Sequence, residues 1–146
     1  MSALSQVSRL ARRDEGRVSV FFAILAPALI AVLGLIIDGG GKVRALQRAD
    51  NIAAEAARAA GQTINAPQAI LGGRKELDPN QAAAAARAYI AAAGATCPPA
   101  GCVTIAADLQ HITITVQVVY NTVVLDFIGV DSWTVTATKT ATLVVT

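Results

Sequence analysis

The sequence predicts an α+β protein in which a long N-terminal transmembrane and stalk helix and a second, alanine-rich helix precede a small antiparallel β-sheet. Three observations predict this class. Residues 18–37 form an uncharged apolar run, residues 42–93 place alanine at helical spacings, and from Val103 onward apolar residues recur at every second position. A chain of 146 residues has room for one small domain beside the apolar run.

These patterns divide the chain into four segments. Residues 1–17 form a basic cytoplasmic tail, and residues 18–37 form a transmembrane helix. Residues 38–94 form an extracytoplasmic helical stalk with the second helix, and residues 95–146 form a disulfide loop and the antiparallel sheet. We therefore expect a single-pass protein with most of its residues outside the membrane.

The apolar run lies between Arg17 and Asp38. Its length, twenty residues, corresponds to a helix of roughly 30 Å, the thickness of a hydrocarbon core. An ionised side chain at the bilayer centre costs on the order of 2.5–3.5 kcal/mol, so these two charges mark the ends of the span. One alternative is a core helix, which so small a chain can hardly surround. The other is a cleaved secretory signal, but D-G-G-G follows the run where a small-residue cleavage site is expected.

The orientation follows from charge and cysteine. The tail carries four arginines, which favour the cytoplasmic side, although Lys42, Arg44 and Arg48 follow the span and make the bias slim. Cys97 and Cys102 flank a short loop and fit one local disulfide, with free thiols as the alternative. A disulfide requires an oxidising compartment, so the cysteines independently favour an N-terminus inside the cell.

Small residues of the span share one helical face. They lie at positions i, i+4, i+8 and i+11, and Asp38 continues the face at i+15: Ala23, Pro27, Ala31, Gly34, Asp38. Faces of small residues let helices approach closely in lipid. We predict that this face packs on another transmembrane helix; the alternative is a lone span of ordinary composition.

The stalk begins with three glycines, Gly39 to Gly41, each of which costs a helix about 1 kcal/mol relative to alanine. The helix therefore either frays there or persists through tertiary contacts. Beyond them an apolar stripe predicts a helix from Lys42 to Gln62: Val43, Leu46, Ala49, Ile52 or Ala53, Ala56, Ala60. Asp78 or Asn80 is expected to cap the second helix, Gln81 to Ala93.

The C-terminal part predicts a sheet with one covered and one solvated face, because Ile112, Ile114, Val116 and Val118 alternate with polar residues. Residues 121–130 are apolar and are expected to form a strand end or a short helix. The last strand is expected at a sheet edge, where its free backbone groups can pair with another subunit.

Composition excludes several functions. The net charge of +2 and the absence of a basic, aromatic-rich face argue against nucleic acid. The single histidine, His111, lies among threonines, and no nucleophile stands beside a base. The two cysteines and one histidine are too few for a zinc site. We therefore expect a non-enzyme without metal, cofactor or small-molecule substrate.

Three stretches carry a family resemblance. The residues from Arg12 to Ile30, then G-L-I-I-D-G-G-G-K from Gly34 and Q-R-A-D-N-I-A-A-E-A-A-R-A-A-G-Q ending at Gln62, resemble the TadE/TadG-like (Flp/Tad) pilus assembly family, actinobacterial type. The resemblance covers about the first 62 residues. It implies a pilin-like fold, an N-terminus inside, and minor pilins or pseudopilins that assemble by packing their hydrophobic helices.

The resemblance also implies prepilin-peptidase cleavage between Gly16 and Arg17. Pilin-like members place a glutamate five residues after the glycine, where this chain has Phe21. The expected function is a membrane-anchored minor pilin or assembly component of a Tad pilus, whose partners are the membrane and other pilus subunits. The alternative is a static envelope scaffold of a secretion apparatus that does not enter a filament.

Overall fold

The computed structural model describes residues 3–72 and 76–142, with side chains from residue 18 onward except those of residues 68, 69 and 128. The predicted segments 1–17, 38–94 and 95–146 therefore include residues 1–2, 73–75 and 143–146, which lie outside the described residues. The elements are helices α1 (Ala3–Gly61), α2 (Ala66–Ile70) and α3 (Pro79–Ala92), strands β1 (Val103–Ile105), β2 (His111–Asn121) and β3 (Ser132–Thr142), and a 3₁₀ turn, Leu125–Ile128. The predicted α+β class is confirmed.

Helix α1 is continuous through the three glycines. Two of its glycines explain why it persists. A Cβ atom built on Gly41 would overlap the ring of Tyr120, and one built on Gly34 would overlap the side chain of Val124. Gly39 and Gly40 have no such neighbours. The tertiary contacts that the sequence required for a continuous helix are therefore concentrated at Gly34 and Gly41.

The described residues contain one antiparallel sheet in the order β1-β2-β3. Strands β2 and β3 pair along their whole length, from His111 opposite Thr142 to Asn121 opposite Ser132. The predicted alternation is confirmed, because Ile112, Ile114, Val116 and Val118 are buried. On the opposite face, threonine hydroxyls join the strands across the register, with Thr113 2.9 Å from Thr140 and Thr115 3.1 Å from Thr138.

Helix α1 covers the inner face of β2 and β3, and α3 packs against α1 and contacts β1. The buried side of α1 consists mostly of alanine: Ala45, Ala49, Ile52, Ala53, Ala56, Ala57, Ala60. The predicted stripe is wrong at Val43 and Leu46, which are exposed, while Ala45 is buried. The contacts at Gly34, Asp38 and Gly41 set the phase of the buried side, and Ala45 lies four residues beyond Gly41 on the same side.

Helix α3 begins at Pro79, two residues before the predicted start. The side chain of Asp78 accepts hydrogen bonds from the backbone N–H groups of Asn80 and Gln81, at 3.0 and 3.1 Å, and so confirms the predicted cap. At the other end, the Arg48 guanidinium donates to the carbonyl of Ala93 at 3.0 Å. Both ends of α3 therefore have side-chain partners, and Arg48 ties this helix to α1.

Adjacent glycines of α1 provide a matched test of this packing. We expect Gly40→Ala to stabilise the domain by up to about 1 kcal/mol, because alanine is the better helix former and meets nothing at that position. We expect Gly41→Ala to destabilise it by about 1–3 kcal/mol, because Tyr120 must move. Thermal unfolding in detergent, followed by circular dichroism, measures both changes. Equal shifts for the two variants would contradict the assigned contact.

Candidate functional site

The most unusual polar group in the structure is the carboxylate of Asp38, directly after the apolar run of α1. Its side chain is 0% exposed. It lies under the segment that joins β2 to β3, residues 122–131, which we call the clasp loop. A buried carboxylate is stable only where donors replace its lost water.

Four donors surround this carboxylate. Oδ1 accepts from the Val123 N–H at 2.8 Å and from the Tyr120 hydroxyl at 3.1 Å. Oδ2 accepts from the N–H groups of Val124 and Leu125, at 3.0 and 2.7 Å. Hydrogen bonds to an ionised acceptor are the strong class, worth about 1.5–3 kcal/mol each. The set therefore fastens the clasp loop to α1.

The local sequence explains why the loop needs an external acceptor. The first N–H groups of any helical turn have no partner within the turn, and a side chain at the N-cap usually supplies one. The 3₁₀ turn Leu125–Ile128 has Val124 at its N-cap, whose side chain carries no acceptor. Asp38 replaces the missing cap from another element, 86 residues earlier in the chain.

Tyr120 links this cap to the sheet. It is the penultimate residue of β2, and its ring occupies the space left by the missing side chain of Gly41. Burial raises the pKa of the Tyr120 phenol, and its hydrogen bond to Asp38 raises this pKa further. The phenol therefore stays protonated and acts as a donor, which the carboxylate requires.

The structure divides the predicted packing face of α1. Gly34 and Asp38 are buried against the clasp loop of the same chain. Ala23, Pro27 and Ala31 are exposed, although Pro27 and Ala31 border a groove formed with Val124, Leu125 and Phe127. Packing of the three exposed residues on a second transmembrane helix stays a prediction.

The apolar part of α1 remains uncovered by the rest of the chain. Within the described residues, one helix is long and apolar enough to cross a membrane, and 6% of its most apolar stretch is buried. The large apolar side chains between Val18 and Ile37 are 49–68% exposed, apart from the partly buried Leu25. A core helix would be mostly buried, so the apolar run of α1 does not fill that role in this chain.

The remaining predicted site residues are the expected cleavage position and the cysteine pair. The backbones of Gly16 and Arg17 are helical within α1, and their side chains lie outside the described residues. Cys97 and Cys102 lie at disulfide distance, with Cα atoms 4.8 Å apart. The turn between them is closed by a hydrogen bond from the Gly101 N–H to the Pro98 carbonyl. This pair therefore closes the loop before β1.

The single histidine takes part in a turn. Its Nδ1 lies 2.7 Å from a carboxylate oxygen of Asp108. Hydrogen bonds from the Gln110 N–H and the His111 side chain lower the pKa of Asp108. The carboxylate of Asp108 thereby organises the turn before β2. Among the described residues, no three His, Cys, Asp or Glu side chains group closely enough to hold a metal ion.

Strand β3 presents an open edge, since no described strand pairs beyond it. In β2, Thr115 and Gln117 direct their N–H groups towards Cys102 and Thr96, away from β3. Their partners in β3, Thr138 and Thr136, therefore direct their backbone N–H and C=O groups outwards. The side chain of Lys139 points towards α1 and pairs with Asp50 at 2.8 Å.

Sequence reasoning grouped Asp38 with Gly34 on one helical face of the span but did not predict its partners in the same chain. Nothing in the local pattern links Asp38 to Tyr120 or to the backbone of residues 123–125. One signal was present: Gly34, Asp38 and Gly41 share a helical face, and a small–acidic–small pattern suits a close approach by another segment. The pattern could not identify that segment.

Residues 16–63 match the model of the Tad family, described as Flp pilus-assembly TadE/G-like. The matched segment contains the apolar run and the whole of α1 from Gly16 to its end at Gly61, including Gly34, Asp38 and Gly41. No curated protein and no solved structure matches the chain. The match relates this chain to the Tad pilus and suggests a structural role; it does not extend to the sheet.

Two aspartates of α1 offer a matched test of the cap. We expect Asp38→Asn to destabilise the domain by about 1–3 kcal/mol, because one oxygen with two donors is replaced by an amide that itself donates. Asp50→Asn should cost less than about 1 kcal/mol, because its pair with Lys139 is partly exposed. Thermal unfolding in detergent compares them; equal losses would contradict the assigned role of Asp38.

Proposed function

We propose that this chain is a minor pilin or pseudopilin, or an assembly component, of a Tad (Flp) pilus. The observation that carries the proposal is the coincidence of the family match, residues 16–63, with a helix whose apolar surface is left uncovered. A helix of this kind requires lipid or other helices around it. The sheet domain is then held outside the membrane with the N-terminus in the cytoplasm.

The span would associate with other subunits through the exposed part of its small-residue face. Ala23, Pro27 and Ala31 are exposed, so a second helix can reach them. Close backbone approach at such residues is the usual basis of association in lipid.

The sheet domain would contribute through the open edge of β3. An unpaired edge strand can accept another strand, which is a common form of subunit recognition. The edge carries threonines and no charged side chain on its outer face, so a strand could approach without burying charge. Lys139 is turned towards Asp50 and away from that surface.

Processing between Gly16 and Arg17 is part of the same proposal. Cleavage there would remove the arginine-rich tail and leave the apolar run at the new N-terminus. Phe21 occupies the position where pilin-like members have glutamate, so the mature helix would lack an acid that could pair with a neighbour's amino terminus.

The alternative is a scaffold that stays in the envelope. We expect the chain to be recovered with appendages sheared from the cell surface, and its intact mass to report cleavage after Gly16. A membrane marker protein, which should stay with the cells, is the control for contamination. Recovery only in the membrane fraction would contradict the filament role and favour the scaffold.

The edge contact is tested at Thr136. We expect Thr136→Pro to lower recovery in sheared appendages several-fold, because it removes an outward N–H worth about 0.5–1.5 kcal/mol while leaving the pairing with β2. Thr136→Val keeps the N–H and is the matched control. Thermal unfolding checks that both variants are folded. Equal recovery of the two variants would exclude edge pairing at this position.

A further inference from the structure

The clasp loop lies beside the apolar run, at the same height along α1. Val124 packs against Gly34, and the groove beside Phe127 is lined by Pro27, Ile30 and Ala31. From Gly34 back to Pro27 the helix rises about 10 Å. The loop therefore extends from the level of Asp38 towards the N-terminus of α1 as far as Pro27, and so lies alongside the C-terminal half of the predicted span.

The span cannot shift along the chain to avoid the loop. Moving it towards the N-terminus would bring Arg17 into the hydrocarbon, at a cost of about 2.5–3.5 kcal/mol. Moving it the other way would bring in Lys42 and Arg44. Any bilayer that covers residues 18–37 therefore meets the loop as well.

The outward surface of the loop is suited to lipid. Phe127 is 92% exposed and Val123 is 63% exposed. Apolar side chains in a patch that continues the surface of a membrane helix indicate an interaction site rather than random exposure. Asp38, the charge nearest to them on α1, is completely covered.

The backbone of the loop is prepared for a medium without water. Three N–H groups, of Val123, Val124 and Leu125, donate to Asp38. Four more, of Thr122, Phe127, Gly129 and Val130, donate to carbonyl groups, and the Thr122 hydroxyl donates to the carbonyl of Val130. Irregular backbone is tolerated at membrane depth only where its polar groups are satisfied within the protein.

Charged and aromatic residues limit the depth. Asp126 and Asp131 are exposed, so their carboxylates must reach the headgroups or water. Just above Asp38, Lys42 lies 4.7 Å from the ring centre of Trp133, and Tyr120 lies beside them. Tryptophan, tyrosine and lysine are typical of the membrane–water boundary. These residues indicate that the ends of the loop, next to Tyr120 and Trp133, lie in the interfacial layer.

We propose that the clasp loop is a second membrane contact, in which Phe127 and Val123 insert among the lipid acyl chains beside α1. The helix and the loop together hold the sheet domain at a fixed orientation on the bilayer. The inference rests on the membrane anchoring in the proposed function and does not depend on entry into a filament.

The test uses single tryptophans in the full chain, in a Trp133→Phe background that removes the only native tryptophan. Phe127→Trp reports on the loop, Leu29→Trp on the span, and Thr136→Trp on the outer face of the sheet. Each protein is placed in phosphatidylcholine vesicles with or without brominated acyl chains. Circular dichroism confirms the fold of each variant, and Trp133→Tyr is the second background if the first fails to fold.

We expect brominated lipid to quench Phe127→Trp and Leu29→Trp several-fold more than Thr136→Trp, with blue-shifted emission. If Leu29→Trp alone is quenched, the anchor holds and the loop inference is overturned. Blue-shifted but unquenched emission from Phe127→Trp means that another protein copy covers it, which also overturns the inference. Absence of quenching at Leu29→Trp overturns the anchor and the loop contact together.

Discussion

The carboxylate of Asp38 holds the clasp loop against α1, and the position of the sheet relative to the helix depends on that attachment. Without it, the N–H groups of Val123, Val124 and Leu125 would lose their hydrogen-bond partner, at a cost of about 1–3 kcal/mol each. Gly34 and Gly41 on either side provide the space for Val124 and Tyr120. Asp38, Gly34 and Gly41 thus connect the apolar part of α1 to the sheet domain.

Above this junction the two helices approach the sheet through alanine. The buried residues of α3, Ala82, Ala86 and Ile90, repeat every four positions, as do several on α1. Small side chains bury little area each, but they allow close contact along the whole length of the stalk. Strand β2 contributes Ile112, Ile114, Val116 and Val118 to the core, and Ile52, Leu77 and Ile90 are the larger buried apolar residues outside the sheet.

Much of this fold could be predicted because its signals are local. The uncharged run, the cap at Asp78, the alternation in β2 and the loop of Cys97 and Cys102 each follow from neighbouring residues. The partners of Asp38 could not be predicted in the same way, because the contact joins residues 82 to 87 positions apart. That contact decides which side of α1 is buried beyond Asp38, and this explains why Val43 and Leu46 were wrongly expected on the buried side. Whether the face containing Ala23 packs on another helix depends on a second molecule.

The continuity of α1 from Gly34 to Ala60 constrains how such a protein can vary in length. Each inserted or deleted residue would rotate everything beyond it by about 100° about the helix axis. A single insertion between Asp38 and Ala45 would therefore aim either the carboxylate or the alanine face away from its partner. Related chains should keep the number of residues in this interval constant.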